Sequence, residues 1–117
     1  MSSNALQTPD QADRLITLAT DGLESKHTRQ TYTQALRDFL AWRDDQGRPA
    51  ISRALVQAYK AHLLDQGLAP STINVKLSAI RRLVREGAEN SLLDEQTAGA
   101  IERVQGVKMA GRRLGNW

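Results

Sequence analysis

The sequence contains no cysteine, which excludes disulfide bonds, thiol nucleophiles and thiolate metal sites from its chemistry. It has only two histidines, so a histidine metal cluster is not expected, and we predict no cofactor. It also has no run of about 18 apolar residues and no charged, then apolar leader. The sequence therefore indicates neither a membrane span nor a signal peptide, and a cytoplasmic location is the expectation.

Aromatic residues are also scarce, at 4%, beside 40% hydrophobic and 25% charged residues. This composition is typical of a folded helical protein, and 117 residues suffice for one domain with a core. The net charge of +3 is unevenly spread. Residues 1–24 hold one basic and four acidic residues, residues 25–93 hold eleven and six, and residues 94–117 hold four and three. The basic excess in the middle of the chain indicates a polyanionic partner.

Apolar residues at helical spacing predict the first two of four main helices. The first covers residues 26–45, begins after Ser25 and ends before Gly47. The second lies between Ser52, which is expected to cap it, and Gly67, which is expected to supply the left-handed residue at its C-terminal end.

Two further helices follow, and no segment has the pattern of a strand. The third opens at Pro70-Ser71 and runs to about residue 89, and Gly87 is expected to interrupt it at a cost of about 1 kcal/mol relative to alanine. Asp94 is expected to cap the last helix. The sequence therefore predicts an all-α fold, a compact bundle of four main helices.

The chain divides into three parts by composition. Residues 25–106 form the helical domain, and residues 107–117 have little periodicity and several basic residues, which is typical of a linker. Residues 1–24 form a lead for which two interpretations remain open. One is a disordered segment, and the other is a short helix after Pro9 that Asp10 caps.

The first and third helices each have a polar side that is almost free of acids. An advance of about 100° per residue places the outward residues opposite the apolar stripes. On the first helix these are Lys26, His27, Gln30, Gln34 and Arg37. On the third they are Ser71, Val75, Ser78, Arg82 and Arg85, with Asn74 at the edge. The acids are expected elsewhere, at Asp38, Asp44, Asp45, Glu86 and Glu89.

These polar sides match the chemistry of duplex DNA binding. Short hydroxyl and amide side chains let a backbone approach a phosphate or a base edge, and helix N-termini present free N–H groups to phosphate. Arginine and lysine add a salt-dependent attraction. The alternative is that Ser25 and Ser71 are only N-caps and that the arginines form a solvated surface.

Other candidates for chemistry are weaker. Tyr32 and Tyr59 fall on apolar stripes and are expected to be core residues with polar tips. His62 is expected to be a partly buried packing residue. The pair Asp44-Asp45 lies at a helix end without a companion nucleophile, so a solvated surface is expected there.

Several segments together resemble the core-binding domain of tyrosine recombinases, the N-terminal SAM-like domain of the phage-integrase family. They are "SKHTRQTYTQALRDFLAWRDDQG", "GLAPSTI", "LSAIR" and the closing "GNW". The resemblance covers residues from about 25 to 117. It implies a helical domain that forms one half of a clamp around the recombination site, with residues 26–45 and 71–89 against DNA.

The resemblance also implies particular contacts and partners. Carried over by position, the DNA-binding residues are Lys26, His27, Arg29, Gln30, Gln34, Arg37, Ser71, Thr72, Asn74, Val75, Ser78 and Arg82. The implied partners are double-stranded DNA, a C-terminal catalytic domain of the full-length protein and other recombinase protomers, and the isolated domain is expected to be monomeric. Since neither Arg29 nor Arg82 belongs to an apolar stripe, we expect alanine at either position to leave the melting temperature nearly unchanged.

Catalysis in this family belongs to a second domain, with a tyrosine nucleophile assisted by two arginines, a lysine and histidines. Neither Tyr32 nor Tyr59 matches the position of that nucleophile, so this chain by itself is expected to be catalytically silent. Two other classes remain open: a small helix-turn-helix regulator, which would bind a palindromic operator as a stable dimer, and a helical protein-interaction module, which would not shift duplex DNA in a gel.

Overall fold

The computed structural model of the protein describes residues 9–108, and within this range it contains five helices and no strand. The helices are α1 (Pro9–Asp21), α2 (Lys26–Asp45), α3 (Arg53–Asp65), α4 (Pro70–Glu89) and α5 (Glu95–Glu102). The prediction of an all-α fold is confirmed. The helix in addition to the four main ones is α1, which lies in the N-terminal part of the sequence where the short helix was one of two interpretations.

The sequence signals for helix ends are confirmed at three N-termini. The hydroxyl of Ser25 accepts a hydrogen bond from the backbone N–H of Thr28 at 3.2 Å, and the hydroxyl of Ser52 accepts one from Leu55 at 3.1 Å. A carboxylate oxygen of Asp94 accepts the equivalent bond at the start of α5, at 2.8 Å. These side chains satisfy N–H groups that have no partner inside their own helix.

Glycine ends α2 and α3 as the sequence predicts. Gly47 has a φ of 91° and Gly67 a φ of 77°, in the left-handed region that side chains with a Cβ rarely adopt. The N–H of Gly67 then reaches back to the carbonyl of Leu64 at 2.9 Å, which closes the last turn of α3.

Two N-cap predictions are wrong. α1 already begins at Pro9, so Asp10 lies inside the helix and not at its N-cap position. α4 opens at Pro70 as predicted, but it follows Ala69, which makes no side-chain capping bond, so Ser71 belongs to the first turn and is not the N-cap. Proline at the first helical position loses no hydrogen bond, and this favours the earlier start.

Gly87 does not interrupt α4, which continues to Glu89. It is buried, and a Cβ at this position would lie 3.4 Å from the side chains of both Leu15 and Leu93, which is an ordinary van der Waals distance. The end of α4 therefore packs against α1 and against the segment before α5.

α4 is the centre of the core and packs against each of the other four helices. Its stripe residues Ile73, Leu77, Ile80 and Val84 are all almost fully buried, as the periodicity predicts. α1 packs against α2 and α4, and its residues Leu15, Ile16 and Ala19 belong to the same hydrophobic cluster.

An aromatic cluster joins α2 to α3. The ring centroid of Tyr59 lies 5.0 Å from those of Phe39 and Trp42, and the ring of His62 lies 5.8 Å from Trp42. Tyr59 is only 2% exposed, and burial raises its pKa to about 12. These contacts confirm that Tyr59 is a core residue and that His62 is a packing residue.

An ion-paired triad joins α4 to α5. The guanidinium of Arg85 donates to both carboxylate oxygens of Glu102, at 3.0 and 2.6 Å, and to Glu95 at 2.8 and 3.1 Å. The hydrogen bonds from Arg85 hold the pKa of Glu102 below its ordinary value of 4.5. Arg85, which the helical pattern placed on the outward side of α4, is therefore committed to α5.

The Glu102 carboxylate makes the stability of the fold depend on acid pH. A carboxylate whose pKa is lower in the folded state contributes stability that is present above about pH 4.5 and is lost as the pH falls through the folded pKa. Glu102→Gln should therefore lose less stability than the parent chain when the pH is lowered from about 5.5 to about 3. Urea midpoints across this range measure the difference, with Glu89→Gln as an exposed control; equal pH dependence in all three proteins would contradict it.

Candidate nucleic-acid interface

The first turns of α2 present polar and basic side chains to solvent. Lys26, His27 and Gln30 are exposed, as predicted. Together with Arg29 and Gln34, Lys26 and Gln30 line an open cleft beside Thr20 at the end of α1. α2 has no acid in its first turn, so the partial positive charge of its N-terminus is not neutralised locally.

Arg29 is partly buried and has a role in the fold. Its guanidinium donates to the carbonyl of Leu23 at 2.6 Å and to that of Glu24 at 3.3 Å, in the connection between α1 and α2. The positive charge of Arg29 still lines the cleft, but one of its guanidinium nitrogens is already hydrogen-bonded to the backbone.

The next two outward residues of α2, Gln34 and Arg37, have acidic neighbours that the helical pattern did not predict. The amide of Gln34 donates to Asp38 at 2.9 Å, and Arg37 pairs with Asp13 of α1 at 3.3 Å. Both members of the second pair are more than half exposed, so the pair is worth little and does not hold Arg37 away from another anion. Asp38 also accepts a bond from Lys76 of α4 at 3.2 Å.

A groove between α2 and α4 brings together candidate residues from both helices. It has a volume of about 390 Å³ and is lined by Thr31, Gln34, Ala35, Thr72, Val75 and Lys76. Gln34, Thr72 and Val75 were predicted on separate helices, and the structure places them side by side. Val75 is 38% exposed, so its aliphatic side chain is accessible from solvent in the groove.

The start of α4 and the start of α2 do not lie next to each other. Thr72 shares the groove with Gln34, and eight residues separate Gln34 from Lys26 along α2. With a rise of about 1.5 Å per residue this is a distance of about 12 Å along the helix. Ser71 is exposed beside Thr72 at the start of α4.

We call the exposed side chains of this surface the α2–α4 face. Its members are Lys26, His27, Gln30, Gln34, Arg37, Ser71, Thr72 and Val75.

Ser78 and Arg82 line a second cleft of about 390 Å³, next to Tyr32, Arg81 and Arg85. The guanidinium of Arg82 donates to the carbonyl of Ala19 at 2.6 Å. Arg82 therefore supplies a cation at the C-terminal end of α1, which has no basic residue in its own last turn. The hydrogen bonds that both guanidiniums make at this end of α1 argue against the expectation that alanine at Arg29 or Arg82 leaves the melting temperature nearly unchanged, and we now expect each substitution to lower it.

Asn74 does not face solvent in the way the other candidates do. Its amide nitrogen donates to the carbonyl of Val107 at 2.9 Å, and its amide oxygen accepts from the N–H of Val107 at 2.7 Å. Both polar atoms of the side chain are thus used by the segment that follows α5.

Sequence reasoning missed two polar residues of the groove, Thr31 and Lys76. Thr31 lies three residues before Gln34, and Lys76 lies four residues after Thr72. Residues at these spacings share one side of a helix, so the sequence could have indicated both.

Among residues 9–108 there is no group of three or more histidine, aspartate or glutamate side chains that could hold a metal ion. In the same range no helix is both long and apolar enough to cross a membrane.

The described residues form a small all-α domain. The model of the phage integrase N-terminal SAM-like domain family matches residues 15–89, and the chain belongs to this family. No solved structure gives a significant match.

Two curated relatives are tyrosine recombinases. One, from Synechocystis sp., is 39% identical over 72 residues, and the other, from Synechococcus elongatus, is 40% identical over 73 residues. The matched regions cover 51% and 52% of this chain but only 23% of each relative. The matched part of the chain therefore spans less than a quarter of the length of these recombinases.

Proposed function

We propose that the chain is the DNA-binding, core-binding domain of a site-specific tyrosine recombinase and that its α2–α4 face lies on duplex DNA. The observation that carries this proposal is the groove in which Gln34 meets Thr72 and Val75. Membership of the integrase family supports a role in recombination, and the basic excess of residues 25–93 supports a polyanionic partner.

The chemistry of the face separates two kinds of contact. Lys26 and Arg37 of α2 carry positive charge, and the imidazole of His27 beside them can donate a hydrogen bond, which suits phosphate contacts that position the domain. Ser71 and Thr72 are short and lie where α4 has no capping side chain, so the free N–H groups of its first turn can also meet a phosphate. Val75 is suited to an apolar contact with a base edge in the major groove.

The spacing of the face is compatible with one groove. Lys26 and the residues around Gln34 are separated by about 12 Å along α2, which is close to the width of about 12 Å of the major groove. The two ends of the face could therefore meet the two strands that border a single groove.

The test is a titration of the isotopically labelled chain with random-sequence duplex. We expect weak binding, in the range of about 10⁻⁴ to 10⁻⁶ M that phosphate contacts alone support. The amide signals of residues 26–37 and 71–82 should shift. A titration that moves only the amides of residues 94–105 would instead support a protein-interaction module, and no response at all would reject DNA binding.

Lys26→Ala gives the sharpest single-residue version of this test. Loss of one phosphate contact should flatten the slope of log K against log salt by about 0.9. Lys26 is preferred to Arg29 or Arg82 because those two side chains also hold α1. Glu89→Ala is the control, since Glu89 is exposed but lies outside the α2–α4 face.

We also propose that strand breakage and rejoining need a catalytic domain that lies outside this chain, and that other protomers assemble with it on DNA. The two tyrosines of the sequence support this, because Tyr59 is buried and Tyr32 is packed against the core. Supercoiled plasmid incubated with the chain should be neither nicked nor relaxed, and no covalent protein–DNA adduct should form. An adduct that disappears in Tyr32→Phe would contradict the proposal.

A further inference from the structure

The segment after α5 is not helical, yet side chains of α3 and α4 hold its backbone at three residues. Arg81 donates to the carbonyl of Val104 at 2.5 Å, and Lys60 donates to the carbonyl of Gln105 at 2.8 Å. Asn74 makes two bonds with Val107, one to its carbonyl and one from its N–H. The chain therefore leaves α5 along a path that is tied to the body of the domain.

The two bonds between Asn74 and Val107 require an amide side chain of this length. A carboxylate accepts but does not donate, and an aliphatic side chain of similar shape does neither. Such a pair satisfies a backbone donor and acceptor that no helix or strand satisfies. Asn74 is partly buried, so both bonds are shielded from competing water on one side.

Gly106 is matched to Asn74. A Cβ at residue 106 would lie 2.6 Å from the amide oxygen of Asn74, closer than real Cβ contacts. Asn74 cannot move aside without breaking its bonds to Val107. Glycine is needed at this position for space, and any larger residue pushes the segment away from α4.

We infer that Asn74 and Gly106 form a clamp that fixes the direction in which the chain leaves the domain, and that Asn74 is a positioning residue and does not contact DNA. Ser71, Val75 and Ser78 lie within about one turn of Asn74 on α4, so the exit point borders the α2–α4 face. This inference deepens the proposed function and rests on it for its biological meaning. In a recombinase, a fixed exit limits the positions that the following domain explores relative to bound DNA, which raises its effective concentration at the site.

The clamp is tested on the whole chain with two spin labels. Because the sequence has no cysteine, Gln57→Cys on α3 and Lys108→Cys after the clamp give two unique labelling sites. Pulsed electron paramagnetic resonance should give a narrow distribution of distances between them in the otherwise unchanged chain. Asn74→Ala and Gly106→Ala should each broaden it, and Thr72→Ala, an exposed substitution on the same helix, should not.

Hydrogen exchange gives a second measurement at a single atom. The N–H of Val107 should exchange roughly tenfold faster in both variants, because each loses the bond that protects it. Asn74→Asp is a useful third variant, since it keeps an acceptor for this N–H but loses the donor to the carbonyl. A cooperative thermal transition in each variant shows that the domain still folds. The inference is overturned if the parent distribution is already broad, or if both variants keep it narrow.

Duplex binding separates this inference from the proposed function. If Asn74 only positions the exit, Asn74→Ala and Gly106→Ala should bind random duplex within about twofold of the parent chain, because no phosphate contact is lost. Weaker binding by Asn74→Ala with unchanged binding by Gly106→Ala would make Asn74 a DNA contact and overturn the inference. Failure of the parent chain to bind duplex would reject the proposed function, while the distance distributions would still decide whether the clamp exists.

Discussion

Leu77→Ala is expected to lower the free energy of unfolding by about 2–5 kcal/mol. Leu77 is 1% exposed and lies on α4, the helix that packs against all the others, so the cavity left by truncation has walls on several helices and cannot collapse easily. Such a loss is a large fraction of the total stability of about 5–15 kcal/mol that is typical of a domain. Urea denaturation of the isolated chain measures it.

Leu64→Ala is the matched control, because it removes the same atoms from a leucine on α3 that is 47% exposed. Its effect should stay within about 0.5 kcal/mol, as for other surface substitutions. A Leu77→Ala loss no larger than that of Leu64→Ala would mean that α4 is not the centre of the core. Absence of a cooperative transition in the parent chain would mean that the domain does not fold on its own.

Val75→Glu is expected to weaken duplex binding by roughly 10- to 100-fold, the largest effect of any single change on the α2–α4 face. A carboxylate in the groove would repel a phosphate of like charge, and against a base edge it would place an acceptor without a donor. The position is exposed, so folding should be retained. Fluorescence anisotropy with labelled random duplex at low salt measures the affinity.

Val75→Gln separates charge from shape, because glutamine is nearly isosteric with glutamate and neutral. It should reduce binding by less than about fivefold, since it removes an apolar contact without adding charge. Equal loss in both variants would show that the side chain acts through packing, and no loss in either would remove Val75 from the proposed interface.

Local signals explain why the helices could be predicted so well. Ser25, Ser52 and Asp94 cap their helices through N–H groups only three residues away, so the sequence carries the whole interaction. Where the expectation failed, a distant residue decided the outcome. Gly87 has the helix-breaking tendency expected of glycine, but it lies buried inside α4, next to Leu15 and Leu93 of other segments. The division of the chain at residue 24 stays a prediction, although Leu15 of α1 lies in the core.

In the candidate site too, local pattern predicted some features and contacts with distant residues decided the others. The exposure of Lys26, His27 and Gln30 follows from the helical repeat, because a polar residue opposite an apolar stripe faces away from the core that the stripe builds. The helical repeat depends only on the residue's own helix, so it cannot predict a polar partner from another part of the chain. Asn74 finds its partner in Val107, 33 residues away, and Arg82 finds its partner in Ala19, 63 residues away.

By itself, the sequence determined the all-α class, the side-chain caps at Ser25, Ser52 and Asp94, the apolar stripes and the resemblance to the integrase family, because these depend on local geometry and residue order. Only the tertiary structure decided which polar side chains remain available to a ligand. Buried or half-buried backbone carbonyls must find donors, and in this fold Arg29, Asn74 and Arg82 supply them before any DNA is present.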